Sequence, residues 1–393
     1  MNNAKTNKQT IKVADLFSGA GGLTFGFQYK IENNSFVPNE DFDILFANEY
    51  DDKAVEAFKL NFPKIEMIHA DIVNVKAKLL RDKKIDISNV DLVIGGPPCQ
   101  SYSTIGGRNY DERAKMYKEY IRMLSILKPK IFIFENVTGL LSMKNDKENP
   151  VLDDIGKMFD SINKKLSYNI KIKTLNAKDY GVPQSRERVF IIGIKKGLKI
   201  DKFPFPDPRI KGDKYLTIKE AISDLPKLEM GEEKAKYKSK AQTDYQRLMR
   251  GESEILQDHK AGIYGDKIRT VIMNVKSGEG KNEFNKLVDC GKIDKKYYLT
   301  SGYANTYGRL WWNKPSTTIT NSFGTPSTLR CIHPIEDRAL TTREGARLQS
   351  FPDWIKFCGN KYEKNSQVGN AVPPLLAIAV AEEVAKCLQE LEV

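Results

Sequence analysis

Histidine and cysteine are scarce in this chain, and long apolar runs are absent. Three histidines stand far apart in 393 residues, and five cysteines show no Cys-x-x-Cys spacing. The sequence therefore predicts neither a disulfide framework nor a zinc site, and no metal is expected. The longest apolar stretches fall well short of the roughly 20 residues that a membrane crossing needs. Residues 1–9 are polar, which argues against a secretory signal and predicts a cytoplasmic protein.

The charge is basic and unevenly distributed. The formal net charge is +12, and residues 195–300 hold 24 Lys or Arg against 17 Asp or Glu. This balance favours a polyanionic partner, although a Lys-rich solvated surface would give the same charge. Hydrophobic residues at 40% and charged residues at 29% are ordinary for a globular protein, which argues against disorder. The length predicts two to three domains.

Short apolar runs alternate with helical stretches in the first half of the chain. The runs that predict strands are 11–17, 42–47, 65–68, 90–94, 130–134 and 189–194. The alternation predicts an α/β fold, in which a doubly wound parallel sheet carries helices on both faces and binding residues at the carboxyl ends of its strands. The polar stretch 33–41 predicts a surface loop. The Lys- and Pro-rich region after residue 195 predicts a second, smaller domain.

Three predicted strand ends carry residues suited to a nucleotide-like ligand. Ser18-Gly19-Ala20-Gly21-Gly22 is a turn that lets the backbone approach a ligand closely, but it lacks the full Gly-x-Gly-x-x-Gly spacing. Glu49 can accept hydrogen bonds from ribose hydroxyls, and Asp71 from an adenine amino group. Each acid alone is equally typical of a solvated strand end or a helix cap.

Gly95-Gly96-Pro97-Pro98-Cys99 forms a rigid turn after another apolar run. The turn predicts that Cys99 stands outside the sheet as a candidate nucleophile, although most free cysteines are small buried hydrophobic residues. A zinc deaminase would need a second cysteine at the position of Tyr102, so that interpretation fails.

Several blocks of the sequence together resemble the DNA (cytosine-5)-methyltransferases. The resemblance covers about residues 11–390, apart from a divergent stretch between 195 and roughly 307. The blocks occur in the order of that family and are 15–22 (DLFSGAGG), 96–99 (GPPC), 135–137 (ENV), 184–188 (QSRER), 338–353 and 367–374 (QVGNAVPP).

The resemblance implies a covalent mechanism. A thiolate must add to carbon 6 of cytosine before carbon 5 can accept a methyl group, and the resemblance gives this role to Cys99. It places Glu135 against the N3 and amino edge of the base, Arg188 at the O2 atom, and Arg186 nearby as an aid to the thiolate and the base.

The same resemblance implies S-adenosylmethionine as the methyl donor. Phe17 would stack on the adenine, Glu49 would hold the ribose, and Asn370 with Val372 would complete the pocket from the C-terminal block. The remaining cofactor residues implied are Asp15, Ser18, Gly19, Gly21, Gly22, Leu23, Tyr50, Asp71, Ile72 and Pro97.

Double-stranded DNA is the implied substrate, with the target cytosine flipped out of the duplex. The polar loop after Cys99 would close over DNA through Gln100, Ser101, Ser103 and Arg108, and residues 317–324 suggest a recognition loop. We expect a catalytic, Rossmann-like domain over 1–197, completed by 367–393, and a small target-recognition domain over 198–366. The implied enzyme acts as a monomer and protects host DNA beside a restriction endonuclease.

Other interpretations of the sequence stay open. A dinucleotide oxidoreductase would explain the glycine turn and Glu49 but leaves the Pro-Pro-Cys turn without a role. An amino-methyltransferase would carry an aromatic residue where Cys99 stands. An RNA cytosine-5 methyltransferase and a catalytically silent DNA-binding protein both fit much of the same sequence.

Overall fold

The computed structural model describes residues 9–98, 116–145, 148–160, 162–163, 166–200 and 202–392. Its strands are β1 Ile11–Leu16, β2 Tyr29–Glu32, β3 Ser35–Pro38, β4 Phe42–Glu49, β5 Met67–His69, β6 Leu92–Gly95, β7 Ile131–Val137, β8 Tyr168–Asn176, β9 Glu187–Lys195, β10 Gly308–Arg309 and β11 Arg330–Ile332. Its α-helices are α1 Gly22–Gln28, α2 Asp52–Asn61, α3 Ala77–Asp82, α4 Met116–Leu127, α5 Val151–Asp160, α6 Ile218–Ile222, α7 Asp244–Arg250, α8 Asp266–Asn274, α9 Lys281–Asp289, α10 Thr342–Leu348, α11 Lys361–Asn370 and α12 Pro374–Gln389.

A large sheet organises the first half of the chain, with the strand order β5-β4-β1-β6-β7-β9-β8. The first five strands in that order run parallel. Because alternate strand residues point to opposite faces, Val13 enters one hydrophobic cluster with α1, α2 and α12, whereas Ala14 and Leu16 enter another with α3, α4 and α5. The predicted doubly wound sheet with helices on both faces is confirmed.

One edge of the sheet departs from the predicted parallel arrangement. β9 pairs antiparallel with both β7 and β8. No crossover helix lies between β8 and β9 among the described residues, and strands without a crossover between them pair antiparallel. β8 was not predicted, because its sequence YNIKIKTLN mixes polar residues into an edge position.

The predicted surface loop at 33–41 is also corrected. β2 and β3 form an antiparallel hairpin, and Asn33 and Asn34 between them both have positive φ, at 50° and 58°. Asparagine tolerates this conformation better than most residues, which makes the pair suitable for a two-residue hairpin turn.

The region 198–392 packs against the sheet. One hydrophobic cluster joins strand residues such as Ile133 to Ile218, Leu248, Phe323 and Leu348, so the core is continuous across residue 197. A separate small cluster holds α8 and α9 together around Val271 and Phe284. The domain boundaries at 197 and 366 stay a prediction.

Buried arginines hold the block 338–353 in place. Arg347 donates to both carboxylate oxygens of Asp353 at 2.6 Å and to Asp224 Oδ1 at 3.2 Å, and the three side chains are 0% exposed. Burial alone would raise the pKa of Asp353, but the Arg347 guanidinium lowers it below its ordinary value. Arg338 donates from Nη1 and Nη2 to the two carboxylate oxygens of Glu344, at 2.8 and 2.7 Å. Each buried carboxylate therefore depends on its arginine.

Candidate active site

The glycine turn is fixed by the carboxylate at the end of β4. Glu49 accepts hydrogen bonds from the backbone N–H groups of Gly19 at 2.9 Å, Tyr50 at 2.8 Å and Asp51 at 3.0 Å. Burial raises the pKa of Glu49, while these three donors lower it. Gly19 has φ of +56° and a Cβ there would meet nothing within 4 Å, so open space lies beside the turn.

Two residues at the end of β1 have unusual environments. Phe17 has φ of +58°, a conformation that costs energy in a non-glycine residue and often occurs at functional sites. Asp15 is completely buried, and Thr24 on α1 donates a short hydrogen bond to its Oδ2 atom. Its Oδ1 atom is buried without a hydrogen-bond partner among the described residues. Burial, with a smaller contribution from Glu49, raises the pKa of Asp15 to about 7.

The other predicted cofactor residues differ in exposure. Asp71 is exposed and accepts from the backbone N–H of Val73 at 3.0 Å, which caps a short 3₁₀ turn. Ile72 is buried, whereas Tyr50 is 64% exposed. Asn48 on β4 donates to the carbonyl of Ala70, the residue after β5, at 2.8 Å, and this hydrogen bond joins the ends of the two strands. A binding role for these side chains stays a prediction.

The C-terminal block returns to the glycine turn, as the resemblance requires. A Cβ on Gly22 would lie 2.6 Å from the carbonyl oxygen of Val372, and one on Gly26 would lie 2.2 Å from the backbone of Ala377. Glycine at both positions therefore lets α1 approach α12 closely. Asn370 is exposed and bonds Ser366 Oγ at 3.1 Å.

Asn136 anchors the turn that leads to Cys99. Its amide donates to the carbonyl of the buried Pro97 at 3.2 Å, and its side-chain oxygen accepts from the N–H of Val137. A Cβ on Gly96 would lie 2.7 Å from Glu135 Oε2. The turn therefore lies directly against the Glu135 carboxylate, and only glycine leaves that carboxylate its present position.

Glu135 and Arg188 form an ion pair at this edge of the sheet. Arg188 on β9 lies opposite Val137 on β7. Glu135 precedes Val137 by two residues on β7, so the side chains of Arg188 and Glu135 lie on the same face of the sheet. Arg188 Nε lies 3.2 Å from Glu135 Oε1, and both side chains are largely buried. Burial raises the pKa of Glu135, and the positive charges of Arg188 and Arg186 partly oppose the rise. The antiparallel strand thus brings its first residues to the edge where the parallel strands end.

Arg186 precedes Arg188 by two residues and is 1% exposed. Its Nη1 donates to the carbonyl of Ile319 at 2.8 Å, and its Nη2 donates to those of Gly369 and Ala371 at 2.8 and 3.0 Å. Arg186 therefore joins the sheet to the C-terminal block and to the segment before residue 320. A direct part in the reaction, as the resemblance implies for Arg186, stays a prediction.

The predicted nucleophile and the predicted DNA loop lie outside the described residues. Those residues are Cys99, Gln100, Ser101, Ser103 and Arg108. The described chain stops at Pro98, one residue before Cys99, and resumes at Met116.

The suggested recognition loop lines a surface pocket of about 410 Å³. Asn321, Ser322 and Gly324 of the loop line the pocket, and Tyr264 and Lys361 lie among its other lining residues. The start of this loop is joined to the residues just before β9, because Thr318 Oγ1 donates to the carbonyl of Ser185 at 3.0 Å.

Sequence reasoning missed three residues that build this site. Thr24 is the polar side chain among the buried residues of helix α1, and its place between Leu23 and Phe25 was a usable indication. Asn136 and Gln184 lie inside the quoted blocks, but only the structure shows what they bond. Gln184 is fully buried, donates to the carbonyl of Leu348 at 3.1 Å and accepts from the N–H of Ile319 at 2.8 Å.

The described residues provide neither a cluster of metal ligands nor a membrane-spanning helix. No cluster of three or more His, Cys, Asp or Glu there is arranged to hold a metal ion. None of its helices is both long and apolar enough to cross a membrane.

A family model for C-5 cytosine-specific DNA methylase matches residues 11–386. The chain belongs to this family. It is similar to the type II methyltransferase M.DdeI of Desulfomicrobium norvegicum, with 34% identity over 95% of this chain and 88% of the relative. It is also 34% identical to M1.HphI of Haemophilus parahaemolyticus, over 95% of this chain and 86% of that protein.

A solved structure supports the same assignment. A prophage-encoded DNA modification methyltransferase of E. coli superposes with a TM-score of 0.72 at 25% identity, covering 96% of this chain and 99% of that one. The chain with this sequence is therefore an S-adenosylmethionine-dependent DNA (cytosine-5)-methyltransferase, and it has the central sheet expected for such enzymes.

The residues at the glycine turn suit that cofactor. The turn has open space beside Gly19, and the buried Asp15 has an oxygen without a hydrogen-bond partner among the described residues. Glu49 lies at the same edge and holds the turn through Gly19. These features match a ligand that carries ribose hydroxyls and positive charge.

Proposed function

We propose that this enzyme methylates carbon 5 of a flipped cytosine in a short, specific duplex DNA site, through a covalent Cys99 adduct. The observation that carries the proposal is the buried Glu135–Arg188 pair, which lies against the turn that leads into Cys99. The described part of that turn ends at Pro98, the residue before Cys99 in the sequence. The type II methyltransferases at 34% identity favour DNA as the substrate.

The side chains divide the chemistry between them. The Cys99 thiolate adds to carbon 6 and forms a carbon–sulfur bond, which makes carbon 5 nucleophilic. Glu135, whose pKa is raised by burial, is suited to hold a proton at N3 of the base while the adduct exists. Arg188 holds Glu135 in place and faces the O2 atom of the base. Bound S-adenosylmethionine supplies the electrophilic methyl group. Solvent water then takes the proton from carbon 5, the electrons of that C–H bond restore the carbon 5–carbon 6 double bond, and the carbon–sulfur bond breaks to release the Cys99 thiolate. The proton at N3 returns to Glu135.

Further assignments belong to the proposal. Around the glycine turn, the cofactor is bound by Asp15, Phe17, Glu49, Asp71 and Val372. Arg186 positions the C-terminal block that contains Val372, through its hydrogen bonds to the carbonyls of Gly369 and Ala371. The pocket beside residues 321–325 belongs to the DNA-recognition face, because Thr318 joins that segment to the residues just before β9. In the cell, the enzyme acts as a monomer and protects DNA from a partner restriction endonuclease.

Bisulfite sequencing of DNA from cells that express the protein tests this proposal. We expect 5-methylcytosine in one short motif, and no modification in cells that express Cys99→Ala. The purified Cys99→Ala variant should still bind S-adenosylmethionine and duplex DNA. Modification that persists in the variant would refute the covalent mechanism. Modified RNA with unmodified DNA would overturn the proposed substrate.

A further inference from the structure

Asp15 and Thr24 form a buried pair behind the glycine turn. Both side chains are 0% exposed, and the Thr24 hydroxyl donates to Asp15 Oδ2. The second carboxylate oxygen, Oδ1, has no hydrogen-bond partner among the described residues. A buried carboxylate in this state is costly unless a positive charge comes near it.

The described surroundings of Asp15 offer no such charge. Glu49 on β4 is acidic, and Tyr120 on α4 stays neutral because burial raises its pKa well above the ordinary value. Beside Asp15, β6 contributes Ile94 and β4 contributes Ala47, and α12 meets α1 through Ala377 and Ile378. All four residues are uncharged. Burial raises the pKa of Asp15 to about 7, so the carboxyl gains and loses its proton near neutral pH.

We propose that Asp15, positioned by Thr24, is the counter-charge through which the site distinguishes the cationic sulfonium of S-adenosylmethionine from the neutral thioether of S-adenosylhomocysteine. The inference rests on the proposed function, since it assumes that cofactor. The two ligands share their adenine, ribose and amino-acid contacts, which cancel in the ratio of their dissociation constants. The remaining difference is the methyl group and its positive charge, which the ionised form of Asp15 attracts and the protonated form does not.

The direction of the pH dependence follows from this charge. Below the pKa of Asp15 the carboxyl is neutral and gives the cation no advantage. Above that pKa, the affinity for S-adenosylmethionine relative to S-adenosylhomocysteine rises. We expect an increase of about tenfold in that ratio between pH 6 and pH 8.5, since a tenfold change matches a modest charge interaction across a partly screened distance.

Calorimetric binding of each ligand to the DNA-free protein across this pH range tests the inference without catalytic turnover. In Asp15→Asn the affinity ratio should stay constant with pH. Thr24→Val removes a hydrogen bond that lowers the pKa of Asp15, so the rise should move to higher pH, whereas Thr24→Ser should restore the wild-type curve. The Val and Ser pair keeps the test valid if Asp15→Asn fails to fold.

The outcomes separate this inference from the proposed function. A wild-type ratio that does not change with pH, or a parallel rise in Asp15→Asn, would overturn the role of Asp15 while leaving the cofactor assignment intact. A Thr24→Val curve identical to the wild-type curve would remove Thr24 from the mechanism. Failure of the wild-type protein to bind either ligand would overturn the cofactor assignment and this inference with it.

Discussion

Replacing Gly96 with alanine should separate activity from stability. The added Cβ would lie 2.7 Å from Glu135 Oε2, whereas ordinary contact needs about 3.5 Å, so the carboxylate must move by about 0.8 Å. The oxygen is the far end of a flexible side chain, and the fold should lose little stability. A displacement of about 1 Å at a reacting group can cost on the order of 100-fold in rate, so we expect a 10- to 100-fold slower methyl transfer.

Single-turnover transfer of a labelled methyl group to plasmid DNA that contains the mapped site measures this effect. Thermal unfolding of the same preparations reports on stability. Gly265→Ala is the matched control, because a Cβ at Gly265 meets nothing within 4 Å and its φ of −69° suits alanine. If Gly96→Ala transfers methyl groups at the wild-type rate, Glu135 does not need its present position. If the variant unfolds, the turn matters for stability and the argument from Glu135 fails.

Three further substitutions test the buried charges and the close helix contact. Arg347→Met should destabilise the protein by about 3–5 kcal/mol in urea unfolding, because buried carboxylates lose their cation. The loss should be smaller at pH 5.5 than at pH 8, since burial without Arg347 raises the pKa of Asp353 and favours its neutral form in the folded state; an equal loss at both pH values would contradict this. Arg188→Met should raise the pKa of Glu135 further and move the limb of the pH–rate profile that reports on it to higher pH, and unchanged limbs would argue against the ion pair. Gly26→Ala places a Cβ 2.2 Å from the α12 backbone and should cost about 1–3 kcal/mol in the same unfolding assay; wild-type stability would show that α12 shifts freely.

Local patterns predicted most of the sheet and the positions of its functional ends. α4 was predicted with the bounds that the structure shows, because its amphipathic pattern is regular, and the strand before Glu135 was predicted from its run of apolar residues. The antiparallel β9 could not be predicted, since strand direction depends on where the chain crosses the sheet rather than on residue type. The antiparallel direction of β9 nevertheless matters for the site, because it brings Arg188 next to Glu135.

The site was predicted as a set of residues but not as a set of contacts. Glu49 was expected to face a ribose, and its three backbone hydrogen bonds to the turn were not foreseen. Arg186 was expected near the base, but its nearest carbonyls come from residues 319, 369 and 371, which are distant in sequence. Such contacts arise only from tertiary packing, which a single sequence does not encode locally.

The close contact between α1 and α12 has a consequence for protein synthesis. α12 follows every other α-helix of the described chain, so the side of α1 that packs on α12 stays uncovered until the ribosome has made residues 374–389. The glycine turn gains its support at Gly22 from Val372 at the same late stage. We therefore expect a nascent polypeptide that stops before this point to expose hydrophobic surface to chaperones and to bind no cofactor. Under this expectation, only a chain that has been synthesised through α12 can mark DNA.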